Sequence, residues 1–477
     1  MSEKILIIGA GPGGYVAAVR AASLGADVTI IEKDNIGGTC LNQGCIPSKI
    51  FKTSADLFLN FQEADSFGIK TSGSLYFDMA NLMERKQKII ETQRKGISAL
   101  LKKNCVKLQH GIGTAKKKGV VSVLSNDGNE KDIPFDKLII ATGTIPFSIP
   151  AFPFDGKRIL SSDHLLELKE IPKSILIVGG GVIGCEFAFI LSALGAKVII
   201  IEALSRLLPL PSVDESCSKI LQREMKKKKI KFMIDRAVTK AESKGNILCV
   251  SIGASPFLDE KKQVKIKPRC IEVEKMAVCI GRTPLTGDIG LENIGLGTDD
   301  KGWIKVNDKM ETDILDVYAI GDILGPSKVM LAHVASHEGM VAAENAMGGN
   351  RKMHYNAVPG AIFTSPEIGN VGITESEAKR KGIDVECSSV NFRNLGKAQS
   401  MGEIAGQAKI IAEKKSGKVL GVHIIGPHAT DLIAEGTLAV NKGLSVSDIA
   451  ETIHAHPTLA EIMSETSLKG IGMSIHG

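Results

Sequence analysis

Two cysteines near the N-terminus have a spacing suited to redox chemistry. Cys40 and Cys45 lie in the stretch Gly37–Lys49, GGTCLNQGCIPSK, with four residues between them. A structural disulfide is one alternative, although closing so short a loop restricts the unfolded chain by only about 2 kcal/mol. A zinc site is another, yet no second Cys or His pair with ligand spacing stands nearby. We interpret the pair as a disulfide that opens and closes during turnover; the spacing alone leaves both alternatives open.

A second candidate for chemistry is HAHPTLAE, near the C-terminus. Because Pro457 suits the first turn of a helix, we predict that His456 lies just before a helix and Glu461 just over one turn inside it. A carboxylate placed there could hold one imidazole nitrogen and leave the other as a base. On spacing alone, a histidine near a helix start with a surface glutamate is the favoured interpretation.

A nucleotide-binding unit precedes the cysteines and would position them. The apolar strand KILII runs into a GxGxxG turn, and a helix from Tyr15 to about Leu24 and the strand VTIIE follow. The glycines let the backbone approach a pyrophosphate at the helix N-terminus, and the acid that ends the second strand can bind a ribose. The residues concerned are Gly9, Gly11, Gly14 and Glu32.

The same pattern returns 170 residues later without a gap. An inactive copy is the alternative, but both copies keep every feature that binding needs, so we predict two dinucleotides. The matching residues are Gly179, Gly181, Gly184 and Glu202. The region Ile175–Ile201 is long and apolar enough to cross a bilayer, yet it divides into strand, turn, helix and strand, so we predict no transmembrane segment.

Composition narrows the function further. A chain of 477 residues with 43% apolar residues and 50 glycines suits an α/β enzyme of about three domains. One Trp and four Tyr argue against a base-stacking nucleic-acid platform. The net charge of +6 is mild, and we interpret Lys226–Lys229 as a solvated helix face rather than a phosphate-binding patch. No metal site is expected.

The other cysteines are scattered, and we predict that they are small buried hydrophobic residues in a protein of a reducing compartment, most simply the cytoplasm. The first strand starts by Lys4, which leaves no room for a signal or transit peptide. The scattered cysteines are Cys105, Cys185, Cys217, Cys249, Cys270, Cys279 and Cys387.

Taken together, the motifs resemble the flavin-dependent pyridine nucleotide–disulfide oxidoreductases over essentially the whole chain. In order they are GAGPGGY, GGTCLNQGCIPSK, ATGT, GGGVIGCE, IGRTP, AIGDILG with MLAHVA, TSPEIGNVG and HAHPTLAE. Phe363 stands where a tyrosine is expected, and Thr144 where serine is frequent. Neither departure touches the sulfur chemistry.

The resemblance implies an α/β fold with two Rossmann-like dinucleotide-binding domains, for FAD and NAD, and a C-terminal α+β dimerisation domain. The implied boundaries are 1–149 and 276–347 for the FAD-binding domain, 150–275 for the NAD-binding domain and 348–477 for the dimerisation domain. The residues implied to bind FAD are Gly9, Gly11, Gly14, Glu32, Lys33, Gly38, Thr39, Lys49, Gly113, Thr142, Gly143, Thr144, Asp322, Met330, Leu331, Ala332 and His333. Those implied to bind NAD are Gly179, Gly181, Val182, Ile183, Gly184, Glu186, Glu202, Val238 and Gly281.

The resemblance also implies the reaction, in which protein-bound dihydrolipoamide is oxidised to lipoamide with NAD+. His456, oriented by Glu461, would take a thiol proton from the substrate, Cys40 would form the mixed disulfide and Cys45 would leave as a thiolate beside the flavin. In a homodimer, His456 of one subunit would meet Cys40 and Cys45 of the other. The implied partners are the lipoyl domains and core acyltransferase of 2-oxo acid dehydrogenase complexes, or the glycine cleavage H protein, with no nucleic acid and no membrane insertion.

Three alternatives differ from this interpretation. A glutathione-reductase-like enzyme that uses NADPH would need to tolerate Glu202, whose charge repels a 2′-phosphate; Arg206 lies close by, but one Arg beside an acid seldom makes an NADP site. A mercuric reductase would carry a C-terminal cysteine pair, whereas this chain ends in MSIHG. A non-catalytic FAD-binding scaffold of a multienzyme complex would have no need of Cys40, Cys45, His456 and Glu461.

Overall fold

The computed structural model describes residues 2–70 and 72–477, which form two compact units. The first comprises the described residues of Met1–Phe51, Asp78–Phe147 and Gly281–Tyr355. The second comprises the described residues of Lys52–Phe77, Ser148–Ile280 and Asn356–Gly477. The helix Cys45–Gln62 therefore begins in the first unit and ends in the second. The finer domain boundaries stay a prediction.

A five-stranded parallel sheet forms the centre of the first unit. Its inner strands are short and largely buried, as expected where helices cover a parallel sheet, whereas the edge strand Lys107–His110 is polar and has no buried residue. The strand order is Val317–Ala319, Lys137–Ile140, Lys4–Ile8, Asp27–Glu32 and Lys107–His110. The helix Pro12–Ser23 connects the third of these to the fourth, so the first predicted βαβ unit is confirmed.

The rest of the first unit consists of helices and smaller sheets. The helices are Gly38–Gln43, Met79–Lys103 and Ala332–Ala346, and the 3-10 helices are Leu291–Ile294 and Gly321–Ser327. The strands Ile112–Lys117, Val120–Leu124 and Glu130–Pro134 form an antiparallel sheet, and Thr144–Pro146 pairs with Arg282–Pro284. The long polar-faced helix predicted for residues 76–104 is confirmed.

The second unit contains the repeat of the nucleotide-binding pattern. Its parallel sheet has the order Lys231–Met233, Lys197–Ile201, Ser174–Val178, Lys275–Val278 and Ile159–Leu160. The helix Val182–Ala193 joins two of these strands, which confirms that Ile175–Ile201 divides as predicted. In the described part of the chain, no helix combines the length and hydropathy that crossing a bilayer requires.

The second unit also contains a three-stranded antiparallel sheet of Arg236–Lys244, Ile247–Ala254 and Arg269–Val273. Its remaining helices before residue 300 are Ser162–Leu165, Glu215–Lys227 and Glu260–Gln263, with a 3-10 helix at Ala64–Phe67. All four lysines of Lys226–Lys229 are exposed at the end of one of these helices, which confirms that they form a solvated surface.

The C-terminal part of the second unit has the predicted α+β composition. Its antiparallel sheet has the order Gly360–Ile362, Glu367–Gly372, Val419–Gly426, Gln407–Glu413 and Val385–Asn391. The helices are Glu375–Arg380, Gly396–Met401, Ala429–Lys442, Val446–Glu451 and Glu461–Gly470, with a 3-10 helix at Phe392–Asn394.

The prediction that Pro457 opens the last helix was wrong, because the helix begins at Glu461. The segment before it is a turn in which side chains take the place of helical hydrogen bonds. Glu461 accepts a hydrogen bond from the Thr458 N–H at 2.9 Å, and the Thr458 hydroxyl donates to the Ala455 carbonyl at 2.8 Å. Local side-chain bonds of this kind compete with helix formation.

The prediction for the scattered cysteines was only partly right. Cys185 and Cys217 are buried, as predicted. Cys105 and Cys387 are exposed, and Cys249 and Cys270 form a disulfide between neighbouring antiparallel strands. The physical reason for the disulfide is strand register, which brings Cys249 and Cys270 together. The spacing of residues along the chain does not reveal that register.

Candidate active site

The first glycine turn leaves room for a phosphate next to backbone that carries no side chains. Gly9 has φ +103°, and a Cβ on Gly14 would overlap the Gly9 carbonyl oxygen. The helix that follows has Gly11 as its N-cap, with no side-chain cap for its first N–H groups. Backbone N–H groups at a helix N-terminus suit a pyrophosphate, so the first turn fits a dinucleotide such as FAD.

Glu32 fixes the shape of this turn. Its buried carboxylate accepts hydrogen bonds from the Ala10 N–H at 2.8 Å and from the Asp34 N–H at 2.9 Å. The acid therefore connects the end of its own strand to the glycine turn, which places a fixed negative charge beside the predicted ribose position.

The segment that carries the cysteines packs directly on the glycine turn. The Gly37 N–H donates to the Ala10 carbonyl at 2.8 Å, and a Cβ on Gly38 would lie 2.6 Å from the Gly11 Cα. Gly37 and Gly38 both have positive φ, at +93° and +57°. Only glycine meets both demands without strain. The sulfur-bearing segment is thus held against the nucleotide-binding turn.

A helix break brings the two sulfurs together. Cys40 lies in the short helix Gly38–Gln43 and Cys45 begins the next helix, with Gly44 between them. A Cβ on Gly44 would lie 2.9 Å from the Thr39 carbonyl oxygen, so a larger residue would push the two helices apart.

Cys40 and Cys45 are thiols in hydrogen-bonding contact, with Cys40 half-buried and Cys45 exposed. The hydrogen bond with Cys45 and, next, burial raise the pKa of Cys40 above its ordinary value, and the positive charge of Lys49 opposes this. Both cysteines are free thiols, as in the reduced form of a disulfide pair.

Two residues that the sequence did not single out hold the cysteine segment. The Asn42 side-chain amide donates to the Gly38 carbonyl at 2.8 Å and to the Ile36 carbonyl at 3.2 Å. The Arg94 side chain, on the helix Met79–Lys103, donates to the Asn42 side-chain oxygen at 2.6 Å. No sequence signal pointed to this pair, because its members are 52 residues apart.

A second group of polar residues in the first unit surrounds Asp322. Burial raises the pKa of Asp322, the Arg282 charge opposes this, and the Thr144 hydroxyl donates to its carboxylate at 3.4 Å. Arg282 also donates to the Thr144 hydroxyl at 2.6 Å. A half-buried acid just after the strand Val317–Ala319 suits a sugar or ribitol hydroxyl, and this role of Asp322 stays a prediction.

Glu338 supports the loop that bears Asp322, and the sequence interpretation missed it. Its buried carboxylate accepts hydrogen bonds from the Gly321 N–H at 2.7 Å and the Tyr355 hydroxyl at 2.6 Å. Burial raises the pKa of Glu338 to about 7, these two donors oppose the rise, and the Asp322 charge adds to it.

The second glycine turn repeats the geometry of the first. Gly179 has φ +103°, and a Cβ on Gly184 would overlap the Gly179 carbonyl oxygen. Glu202 accepts hydrogen bonds from the Gly180 N–H at 2.6 Å and the Leu204 N–H at 2.7 Å. The second turn therefore fits a dinucleotide on the same grounds.

Glu186 and Arg206 occupy fixed positions in the second unit. The buried Glu186 carboxylate accepts a hydrogen bond from the Phe363 N–H at 2.9 Å. The Arg206 guanidinium donates four hydrogen bonds within its own loop and the next helix. Its acceptors are the carbonyls of Leu208, Leu210 and Val213 and the hydroxyl of Ser218.

His456 and Glu461 are in contact, as the family resemblance implied. The His456 Nδ1 lies 2.7 Å from the Glu461 Oε1, and the His456 side chain is 76% exposed. Burial favours the neutral acid, but hydrogen bonds from His456 and from the Thr458 N–H hold the pKa of Glu461 below its usual value. A charged carboxylate on Nδ1 leaves Nε2 as the nitrogen that can accept a proton.

A second imidazole–carboxylate pair lies beside the first. The His454 Nε2 lies 2.9 Å from the Glu435 Oε1, and its Nδ1 lies 2.9 Å from the Thr452 carbonyl oxygen. The His454 side chain is only 8% exposed. Since both ring nitrogens are engaged, His454 is a structural residue, whereas His456 can act as a base.

The predicted cofactor residues divide between the two units. Every residue expected to bind FAD lies in the first unit, together with Cys40 and Cys45. The residues expected to bind NAD lie in the second unit with His456 and Glu461, except Gly281, with which the third segment of the first unit begins. These assignments stay predictions at the level of single residues.

Known proteins match this chain over nearly its whole length. Residues 3–339 match the family described as pyridine nucleotide-disulphide oxidoreductase, and residues 358–467 match the dimerisation domain of the same family. The chain belongs to this family. The predicted fold class is thereby confirmed, and the second match supports a homodimer of the oxidoreductase.

Curated relatives agree with this assignment. The chain is 40% identical to a dihydrolipoyl dehydrogenase of Chlamydia muridarum, over 99% of this chain and 97% of the relative. It is also 40% identical to a dihydrolipoyl dehydrogenase of Bacillus subtilis, over 99% and 98% of the two chains.

Solved structures share the fold of the oxidoreductase. LpdA from Mycobacterium tuberculosis superposes with a TM-score of 0.89 at 26% identity, covering 98% of this chain and 99% of the other. The flavoprotein disulfide reductase RclA from Escherichia coli superposes with a TM-score of 0.84 over 98% and 99% of the two chains, and at 23% identity it shows the fold alone.

Proposed function

We propose that this oxidoreductase is a dihydrolipoyl dehydrogenase, which oxidises the dihydrolipoyl group of a carrier protein to lipoyl with NAD+. The reaction removes two electrons and two protons from the dithiol and yields NADH and one proton. The observation that carries the proposal is the Cys40–Cys45 pair, in mutual contact and packed on the first glycine turn. FAD, which this family uses together with NAD, would supply the two-electron relay between sulfur and nicotinamide.

The protein's own residues have separate tasks. His456 takes a proton from the substrate dithiol, because a thiol with a pKa near 8.5 is mostly protonated at neutral pH. Glu461 orients the imidazole through the hydrogen bond at Nδ1. Cys40 forms the mixed disulfide and Cys45 is the sulfur released as a thiolate. In the homodimer, His456 of the partner subunit serves the Cys40–Cys45 pair.

The second unit selects NAD over NADP. Glu202 presents a buried negative charge at the predicted 2′-hydroxyl, where it would repel a 2′-phosphate. The four hydrogen bonds that Arg206 donates to its own loop and the next helix occupy its guanidinium. This speaks against the glutathione-reductase-like alternative that uses NADPH.

The lipoyl domains and core acyltransferase of 2-oxo acid dehydrogenase complexes, or the H protein of glycine cleavage, are the proposed carriers. The cytoplasm is the proposed location. Steady-state rates with lipoamide and glutathione disulfide, each with NADH and with NADPH, test the reaction. We expect lipoamide with NADH to exceed the other three combinations by at least about tenfold; a preference for glutathione disulfide would overturn the proposal.

Two variants test the roles of the residues. Cys45→Ser should abolish dithiol oxidation while the protein keeps its bound flavin absorbance. His456→Ala should slow dithiol oxidation by roughly 10²–10⁴-fold, with little effect on NADH oxidation by a dye acceptor. His454→Gln is the matched control, since His454 is buried and engaged at both nitrogens, and should stay near the wild-type rate. Equal losses in both assays for His456→Ala would refute its role as the base.

A further inference from the structure

A second cysteine pair lies in the second unit, on the antiparallel sheet described above. Cys249 and Cys270 stand on neighbouring strands, are joined as a disulfide and have Cα atoms 6.2 Å apart. The register pairs Ser251 with Cys270 and Cys249 with Glu272. The two cysteines are therefore diagonal neighbours on one face of the sheet, a position from which side chains reach each other.

This face of the sheet is the one turned to solvent. The alternate residues Leu248, Val250 and Ile252 are buried in the hydrophobic core of the second unit. Cys270 is exposed and Cys249 is half-buried on the opposite face. Because side chains alternate across a strand, the disulfide lies outside the core, where a dissolved thiol can reach the Cys270 sulfur.

The disulfide adds a covalent link to the edge strand of its sheet. Arg269–Val273 is the edge strand of its sheet, and segment 255–268 connects it to Ile247–Ala254. The short helix Glu260–Gln263 in this segment buries no side chain, and Phe257 and Val264 are exposed. The edge strand is thus held by its backbone ladder, by the packing of Ile271 and Val273 on the core, and by the Cys249–Cys270 bond.

We propose that Cys249–Cys270 is a thiol-exchangeable disulfide, a second redox site in addition to the Cys40–Cys45 pair, and that its partner is a low-molecular-weight thiol–disulfide couple. A thiolate attacks the Cys270 sulfur and breaks the bond, and Cys249 leaves as a thiolate that takes up a proton. A second thiol attacks the mixed disulfide and releases Cys270. Two thiols are oxidised to one disulfide and the protein gains two thiols; a small disulfide such as glutathione disulfide drives the reverse.

The first experiment tests whether the bond exists in the holoenzyme. Lys261, Lys262 and Lys265 are exposed in the connecting segment, so brief trypsin treatment should cut between the two cysteines. The protein is incubated with glutathione disulfide, cut, blocked with N-ethylmaleimide and run on denaturing gels. We expect one full-length band without reductant and two fragments with it. Two fragments without reductant, together with maleimide on both cysteines in the mass spectrum, would overturn the proposal.

Two variants identify the cysteines responsible. Cys270→Ser should give two fragments on both gels. Cys387→Ser replaces another exposed cysteine in the same trypsin fragment and should behave as the wild type. Linked fragments that persist in Cys270→Ser, or disappear in Cys387→Ser, would contradict the assigned pair.

The second experiment tests whether the bond exchanges in the native fold. The holoenzyme is equilibrated in glutathione buffers of increasing reduced fraction and then labelled with maleimide. Label should appear on Cys249 and Cys270 at least about tenfold more than on the buried Cys185 and Cys217, which report that the protein has stayed folded. A linked fraction that stays constant until denaturant is added would overturn the proposed exchange.

Discussion

The two glycine turns of this chain have the same backbone geometry but different surroundings. Gly9 and Gly179 share φ +103°, and each donates its N–H at 2.8 Å to a carbonyl of the neighbouring strand. Glu32 and Glu202 each accept two backbone N–H groups at the same relative positions. The repeat is thus a repeat of hydrogen bonds as well as of sequence.

The two turns differ in the segment of the protein that packs on each of them. In the first unit, Gly37 and Gly38 lie against the turn and place Cys40 beside it. In the second unit, Leu207 lies against Gly180, on a loop that Arg206 holds. The same binding scaffold therefore carries the reactive cysteines in the first copy and a closed loop in the second. The difference comes from the residues that follow Glu32 in the first copy and Glu202 in the second.

The largest expected effect is the loss of a cofactor, and substitutions in the two glycine turns should differ in which cofactor is lost. In Gly14→Ala and Gly184→Ala, the new Cβ would overlap the carbonyl oxygen of Gly9 or Gly179, so the backbone of that turn must shift. Gly14→Ala should yield protein without flavin and without activity. Gly184→Ala should keep its flavin and remain reducible by dihydrolipoamide, while NADH formation falls to background. Flavin absorbance and anaerobic half-reactions measure the difference.

Gly96→Ala is the control for the glycine pair. Gly96 lies within the helix Met79–Lys103, and nothing stands within 4 Å of a Cβ added there. The change should stabilise the protein by about 0.5–1 kcal/mol and leave both assays unchanged. If Gly184→Ala released flavin as readily as Gly14→Ala, the two turns would not serve separate cofactors.

The second effect is a pH dependence that belongs to the first unit. Burial raises the pKa of Glu338 to about 7, so the folded state favours the neutral acid. Its stabilising contribution is complete below the ordinary pKa of 4.5 and is lost as the pH rises through 7. The loss should be on the order of 3 kcal/mol. The fluorescence of Trp303, the only Trp of the chain, reports unfolding of this unit in urea at several pH values.

Glu338→Gln should remove most of this pH dependence, because glutamine is neutral throughout. In the second unit the sign is opposite for Asp214. Burial raises its pKa, but hydrogen bonds from Ser216 and the Lys409 charge outweigh burial and lower it to about 2. Its contribution is present above pH 3.8 and is lost as the pH falls through 2. A wild-type Trp303 midpoint that rose between pH 5 and 8 would contradict the assignment to Glu338.

The sequence predicted those parts of the structure that depend on neighbours along the chain. The strand, glycine turn and helix of each repeat follow from apolar runs next to glycine. The His456–Glu461 bond, which the spacing alone did not favour, was implied by the family resemblance. The family resemblance added the fold of the remainder. One local signal failed: Pro457 predicted the start of the last helix, but Thr458 forms local hydrogen bonds and the helix begins only at Glu461.

Contacts between distant residues could not be predicted in the same way. The Arg94–Asn42 bond, the Glu338–Gly321 bond and the Cys249–Cys270 disulfide depend on packing and strand register. A shift of one residue in register would turn Cys270 to the other face of its strand, and nothing in one sequence fixes that register. Pairs of this kind become visible only once the elements are packed.

A smaller effect on cofactor binding is expected from Glu202 and Glu32, the acids that end the second strand of each repeat. Replacing Glu202 by Gln puts an amide NH2 opposite a backbone N–H of Gly180 or Leu204 and removes the negative charge. The KM for NAD should rise roughly tenfold, about 1.4 kcal/mol, and the preference for NAD over NADP should shrink. Glu32→Gln, the matched change in the first unit, should weaken flavin retention and leave the NAD preference as it was. An unchanged preference in Glu202→Gln would show that its charge does not select the nucleotide.

The smallest effect should come from Arg206, which sequence alone presented as a candidate for binding a 2′-phosphate. Its guanidinium donates to three carbonyls and a hydroxyl, so binding a phosphate would require breaking those bonds. Arg206→Lys, which keeps the charge but cannot make all four bonds, should lower the stability of the second unit and change the NAD:NADP ratio of kcat/KM by less than about twofold. A fall in NADPH activity well beyond twofold, with NADH activity unchanged, would mean that Arg206 reaches the nucleotide. The loop that packs on the second glycine turn would then bind the nucleotide instead of only covering the turn.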